Sequence, residues 1–209
     1  MDRRALAVSR LFFAALTLAA IVVQLTDLAA RGTLDVVSYF SYFTIESNLI
    51  AVVALLVMAA RWRKQRSRAH ELLRGGAVVY MSVTCIVFTL LLSGTDVDTA
   101  IPWVNTVVHQ LIPLVMVVDW LVDPPAGRLT MRDGVLWLGY PLAWIVYVLI
   151  RGAIGGRYPY PFLNPANGGY AAVAAYCVAI LVLMLLICAA TVAVANAAGQ
   201  RRQPTPAAT

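Results

Sequence analysis

Residues 51–83 read AVVALLVMAARWRKQRSRAHELLRGGAVVYMSV: an apolar run, a basic gap, and a second apolar run. The gap, residues 61–74, holds six Lys or Arg side chains. An amphipathic surface helix would alternate apolar and polar faces with a period near 3.6 residues. Here the segregation is by block, which is the pattern of two membrane-crossing helices joined by a loop on the positive side of a bilayer.

The same pattern extends outward in both directions. Apolar runs occupy about Leu6 to Ala29, Val36 to Ala60, Leu72 to Leu92, Pro102 to Val122, Val135 to Ile150 and Tyr170 to Asn196. Most are near the ~20 residues that cross ~30 Å of hydrocarbon as an α-helix. Of 209 residues, 61% are hydrophobic and 12% charged, and the mean hydropathy is +0.80. A soluble domain averages nearer ~45–50% apolar and ~25% charged, so a soluble globular protein is excluded. The expectation is an all-α polytopic membrane protein with six transmembrane helices, as a single domain over residues 1–198. Residues 199–209, ending QRRQPTPAAT, read as a short disordered tail. The first span, after MDRRALAVSR, also has a signal-peptide reading with cleavage near residues 29–30, but its apolar run exceeds a usual h-region of ~7–15 residues.

The net charge of +6 is distributed by topology. The N-terminus carries Arg3, Arg4 and Arg10, six basic residues fill the 61–74 gap, Arg128 and Arg132 follow the fourth run, and Arg201 and Arg202 lie in the tail. The other side carries Arg31, Arg151 and Arg157 beside Asp35, Asp96 and Asp98. Positive loops stay cytoplasmic, which puts both termini inside. No nucleic-acid partner is expected from charges placed this way, although the 61–74 segment also fits an acidic-lipid binder. One lysine against fifteen arginines, with abundant alanine, suggests a bacterial inner-membrane protein. Cys85, Cys177 and Cys188 all fall inside apolar runs without CxxC spacing, so neither a disulfide framework nor a metal site is expected. His70 in the basic gap and His109 in an apolar run cannot share an ion. No cofactor is expected.

Polar side chains at membrane depth are costly and often mark function. They cluster in SYFSYFTIESNL, residues 38–49, and WVNTVVH, residues 103–109. At ~1.5 Å per residue, Thr44 lies roughly 12 Å inside a span entering at Val36, and His109 roughly 10 Å inside one entering at Pro102. Thr44 and Asn48 share a helical face, as do Asn105 and His109. If these faces meet, His109 can activate Thr44 as a nucleophile, with Asn105 orienting the imidazole or binding an oxyanion. Glu46 points about 200° away from Thr44 and needs a partner or a proton of its own. Asp119, roughly 15 Å deeper than His109, cannot complete a triad, and beside Trp120 it reads as a solvated interfacial acid. The loop RGAIGGRYPYPFLNPANGGY, residues 151–170, reads first as an interfacial aromatic belt through Tyr158, Tyr160 and Phe162. It reads second as a roof over a lipid cavity whose anionic group meets Arg151 or Arg157, and Asn105, Asn48, Glu46, Arg151 and Tyr160 are the expected supporting or substrate-binding residues.

Several of these phrases resemble the androgen-induced membrane protein family. They are Trp103-x-Asn105-x-x-x-His109 with Pro113 four residues on, Tyr39-Phe40-Ser41-Tyr42-Phe43-Thr44, and Tyr160-Pro161-Phe162-Leu163. The resemblance covers five of the six helices in order. It implies a multipass hydrolase of fatty acid esters of hydroxy fatty acids, with Thr44 as nucleophile, His109 as general base and Asn105 in support. Glu46-Ser47-Asn48 is more polar than the animal members, and Arg151 stands near where they carry histidines. The partner implied is a membrane lipid or lipid ester. Two other readings remain open: a non-enzymatic protein binding a lipid or small molecule as a sensor or assembly subunit, and a proton-coupled transporter with Glu46 and His109 as a relay. No internal repeat supports the latter.

Overall fold

The computed structural model describes residues 2–94, 101–125 and 127–200. Asp96, Asp98, Arg201 and Arg202 lie outside them. The described residues form an all-α bundle with six helices long and apolar enough to cross a membrane: Arg3–Ala30, Phe43–Ala60, Arg68–Leu92, Pro102–Val122, Met131–Gly155 and Gly169–Ala198. We label the helical segments α1 (Arg3–Ala30), α2 (Val36–Phe40), α3 (Phe43–Ala60), α4 (Arg68–Val87), α5 (Pro102–Thr106), α6 (Ile112–Val122), α7 (Met131–Leu136), α8 (Gly139–Gly155) and α9 (Gly169–Gln200). π-helical turns at Phe88–Leu92 and Val107–Leu111 extend α4 and join α5 to α6. The chain is a polytopic membrane protein.

Local chemistry starts and stops these helices. Asp2 accepts from the Arg4 amide and Asp35 from the Ser38 amide, satisfying N–H groups that the first helical turn leaves without partners. Ser67 and His70 cap α4 reciprocally, as Thr130 and Asp133 cap α7; His70 is a capping residue. Pro102 occupies the first turn of α5, where its missing N–H costs nothing. Gly156 ends α8 in the left-handed region at φ 68°, a conformation glycine adopts without steric cost.

α3 and α4 form the centre of the bundle. α1 packs on α3, α3 on α4, and α4 on α6 and α9, while α7 packs on α9. Gly75 lets α4 and the α7–α8 junction approach closely, since a Cβ there would overlap the Trp137 indole. That indole donates to the Leu72 carbonyl at 2.8 Å.

Two features differ from the sequence expectation. The expected continuous span from Val36 to Ala60 is broken at Ser41–Tyr42. Tyr42 is extended at ψ 125°; the Ser41 hydroxyl bonds to the Val37 carbonyl at 2.6 Å, and the Trp144 indole takes the Ser41 carbonyl at 3.1 Å. An outside donor thus replaces the intrahelical one, and the helix restarts at Phe43.

The second concerns Asp119, which is buried and ion-paired rather than solvated. Asp119 and Asp123, four residues apart, present one face to α1 and α4. Arg10 grips both, at 2.7 Å to Asp119 and 2.8 Å to Asp123. Arg66 reaches Asp123 at 2.6 Å and Glu71 at 2.8 Å. Arg74, 0% exposed, lies 3.4 Å from Asp119, bonds the Asp123 carbonyl and sits 4.8 Å over the Trp120 ring. Glu71 meets Arg66 and Arg74 as ion pairs without hydrogen-bond alignment. Three cations thus face three carboxylates, and Arg10 and Arg74 act as interior braces besides contributing to the charge of that side.

Burial raises the Asp123 carboxyl, but the Arg10 hydrogen bond and the charges of Arg66, Arg74 and Arg10 outweigh it and hold it below the usual carboxylate range. A depressed folded pKa contributes stability that is complete above the unfolded value of about 4 and is lost as pH falls through the folded one. The melting temperature of the detergent-solubilised protein should therefore fall as pH drops below about 4, and Asp123→Asn should flatten that acid limb. An acid limb unchanged in Asp123→Asn would refute this assignment.

Candidate active site between the second and fourth spans

The site begins with Pro113. A proline inside a helix lacks the N–H for its i−4 carbonyl and its ring crowds that carbonyl. Here the strain is relieved by the π turn at Val107–Leu111, and such turns recur at functional sites. In this turn the Ile112 N–H donates to Val107, so the Val108 carbonyl loses its α-helical donor. Its π-register donor would be Pro113, which has none. Asn48 supplies the bond instead: its amide nitrogen donates to Val108 O at 3.0 Å and to Thr44 O at 2.8 Å. Asn48 thereby ties the fourth span to the first turn of α3.

That tie brings the two expected residues together. Thr44 Oγ1 lies 3.3 Å from His109 Nε2, and both side chains are buried. His109 Nδ1 lies 3.2 Å from the Asn105 carbonyl oxygen. A carbonyl only accepts, so Nδ1 carries the proton and Nε2 of the neutral ring presents its lone pair to Thr44. Phe88, from the other π turn, stacks on the imidazole at 4.0 Å and 15°. Asn105 thus orients the ring through its main chain, a role that its side-chain type does not reveal.

Thr44 borders two cavities. One, about 220 Å³ and almost wholly apolar, is lined by Phe43, Phe88, Trp144, Phe162 and Leu181 among others. Its rim includes Leu142 of α8 and Val178 of α9, both exposed on the outside of the bundle, so it faces sideways between the fifth and sixth spans. The other, about 160 Å³, is more polar and runs from Thr44 and His109 past Tyr39 to Asp35, Ser38 and Arg157. The Ser38 hydroxyl and amide, with Arg157 at 2.6 Å, hold the Asp35 carboxyl down at about 2. It therefore stays charged at neutral pH.

The remaining candidates sit differently. Tyr160 is turned inward rather than forming an interfacial belt; it is 5% exposed, with its hydroxyl 3.3 Å from both Thr44 N and Thr44 Oγ1. Tyr160-Pro161-Phe162-Leu163 folds as a tight cap, Pro161–Leu163 being 3₁₀, which fits the roof reading. Arg151 donates to Ser38 at 2.8 Å and approaches Asp35 at 4.0 Å; it braces α2 rather than facing the Thr44–His109 pair. Glu46 accepts from Tyr140 at 2.7 Å, on the side of α3 away from Thr44. Among the described residues no group of three or more His, Cys, Asp or Glu side chains is arranged to hold a metal ion. Sequence reasoning missed Phe88 and the break at Ser41–Tyr42; Pro113, four residues after His109, was the available signal for the π turn. Compared with known proteins, the chain matches no family model, no curated protein and no solved structure.

Proposed function

We propose that the chain is an intramembrane lipid ester hydrolase, with Thr44 as nucleophile and His109 as general base. The observation that carries this reading is the 3.3 Å approach of Thr44 Oγ1 to His109 Nε2 where an apolar cavity meets a polar one. A threonine hydroxyl attacks an acyl carbon only when a base takes its proton, and catalytic hydrogen bonds tighten from such distances when substrate binds. The apolar cavity suits an acyl chain entering from the bilayer, and the polar one admits water and releases the alcohol.

The chemistry runs in two halves. Thr44 Oγ bonds to the ester carbon as its proton passes to His109 Nε2, and the carbonyl π electrons move onto oxygen. Collapse expels the alcohol oxygen, which takes the proton from His109, leaving acyl-Thr44. Water then attacks, its proton passes to His109 and on to Thr44 Oγ, and the fatty acid leaves. The resemblance noted in the sequence suggests fatty acid esters of hydroxy fatty acids as the substrate class. By the distribution of basic loops, the site opens to the outer leaflet of a bacterial cell membrane, with both termini cytoplasmic.

The test is labelling of the purified protein by a fluorophosphonate, which phosphonylates activated hydroxyls, with the modified residue mapped by mass spectrometry. Wild type should be labelled at Thr44 and Thr44→Ala left unlabelled. A folded wild type that is not labelled, or labelling that persists elsewhere in Thr44→Ala, would refute the hydrolase reading and favour a lipid-binding protein.

A further inference from the structure

Because α3 restarts at Phe43, the Thr44 N–H lies in a first helical turn and has no intrahelical acceptor. The Tyr42 side chain does not cap it. It donates instead to the Tyr160 hydroxyl at 3.3 Å, and the same oxygen lies 3.3 Å from Thr44 Oγ1. Three polar atoms, one of them the proposed nucleophile, therefore converge at the wall of the apolar cavity, which both Thr44 and Tyr160 line. A carbonyl oxygen turning into an oxyanion beside Thr44 Oγ would meet the Thr44 N–H and the Tyr160 O–H together.

A separate observation points to a polar atom arriving there. Thr84, 4% exposed, lines the same cavity, and its hydroxyl has no hydrogen-bond partner among the described residues. A buried hydroxyl left unpaired is costly, and a ligand oxygen in this cavity would relieve it.

We propose that Tyr160 is a third catalytic residue, donating its hydroxyl hydrogen bond to the tetrahedral oxyanion together with the Thr44 amide; this rests on the Thr44–His109 hydrolase reading. In this structure the Thr44 N–H donates to the Tyr160 hydroxyl. When the oxyanion forms, the Thr44 N–H transfers its bond from Tyr160 to that oxygen, and the phenol, keeping its proton, donates to the same atom. The bond is surrendered when the carbonyl reforms, so no proton is exchanged. Burial pushes the Tyr160 phenol up to about 12, with the Thr44 hydrogen bonds pulling the other way, so it remains a donor at neutral pH rather than acting as a base. The ring is held for this work: Tyr42 packs edge-on at 5.6 Å and Phe162 stacks at 5.3 Å.

The experiment compares the full chain in detergent as wild type, Thr44→Ala, Tyr160→Phe and Asn167→Ala. It measures hydrolysis of p-nitrophenyl decanoate, inhibition by a long-chain alkyl trifluoromethyl ketone, whose adduct with a hydroxyl carries an oxyanion, and thermal melting. Tyr160→Phe should lower kcat by about 10²–10³-fold with little change in KM, as loss of one oxyanion donor does elsewhere. It should weaken the ketone by a similar factor while still melting cooperatively, at a temperature lowered only by the Thr44 N–H left unpaired. Asn167→Ala, which removes the exposed bond to the Pro161 carbonyl at 2.8 Å but leaves Tyr160 and the rings packed on it in place, should keep most of the activity. The proposal is overturned if Tyr160→Phe retains wild-type kcat or ketone affinity, or if Asn167→Ala loses as much as Tyr160→Phe. If Tyr160→Phe unfolds, 3,5-difluorotyrosine at position 160, a stronger donor of nearly the same shape, should tighten the ketone; unchanged or weaker binding overturns the role. A wild type no more active than Thr44→Ala removes the hydrolase reading itself, and with it the role of Tyr160.

Discussion

Replacing His109 by alanine is expected to lower turnover of a fatty ester by about 10²–10⁴-fold, the range a positioned general base contributes. The proposed base is held by three contacts. The Asn105 carbonyl fixes the proton on Nδ1, Phe88 fixes the plane of the ring, and Nε2 faces Thr44 Oγ1 at 3.3 Å. Alanine also leaves a hole beside Phe88, so lost activity alone would not separate chemistry from packing. His109→Gln does separate them. Its amide can still donate to Asn105 and lie flat against Phe88, but it cannot accept a proton at neutral pH. Esterase assays and melting curves on both variants should show equal loss of activity, with glutamine the better folded. A glutamine variant retaining a tenth or more of wild-type turnover would mean that the imidazole is structural. The π turn is tested by the same logic, since it leads from Pro113 through the Val108 carbonyl to Asn48 and so to the position of Thr44.

The fold was legible because lipid solvation writes itself into composition. Six apolar runs separated by charged gaps correspond to six long helices, and the period of the pattern matters less than its length. Rise per residue put Thr44 and His109 at matching depth, which two polar residues share by chance often enough that it was the resemblance that paired them. What could not be read were departures from regular helix. Ser41 and Tyr42 are unremarkable in a helix, and the break there depends on Trp144, about a hundred residues later, taking the Ser41 carbonyl. Asn105 was singled out for its side chain, yet its carbonyl orients His109. Tyr160 could be read either as an interfacial aromatic, as is usual in such loops, or as a supporting residue in a cavity roof; only the tertiary fold brings its hydroxyl to the first turn of α3. Asp119 misled for a related reason. Depth placed it near a membrane surface, but its neighbours in space, Arg10 and Arg74, are 109 and 45 residues away.

Asp119→Ala should accordingly destabilise the bundle by about 3–5 kcal/mol, the usual cost of removing one partner from a buried ion pair. Arg10 and Arg74 are 4% and 0% exposed. Without Asp119, Arg10 keeps its 2.8 Å ion pair to Asp123, whereas Arg74 keeps the Asp123 carbonyl and, as ion pairs, Glu71 at 3.4 Å and Asp123 at 3.6 Å. Three cations would then face two carboxylates in a site that water reaches poorly. Asp119→Asn, which restores a hydrogen-bond acceptor but not the charge, should fall between alanine and wild type. The double replacement Arg10→Met with Asp119→Leu should cost less than the sum of its parts, because it removes a matched pair of charges together. Denaturant or thermal unfolding in detergent measures all four. Asp119→Ala as stable as wild type would show that the network carries no stability. The effect should stay local to folding: Asp119 lies ten residues beyond His109, roughly 15 Å along the helix. The fraction of Asp119→Ala that remains folded should therefore label at Thr44 at the wild-type rate. A slowed rate in folded protein would instead mean that the charge network sets the position of the fourth span, and through Asn48 the geometry of the site.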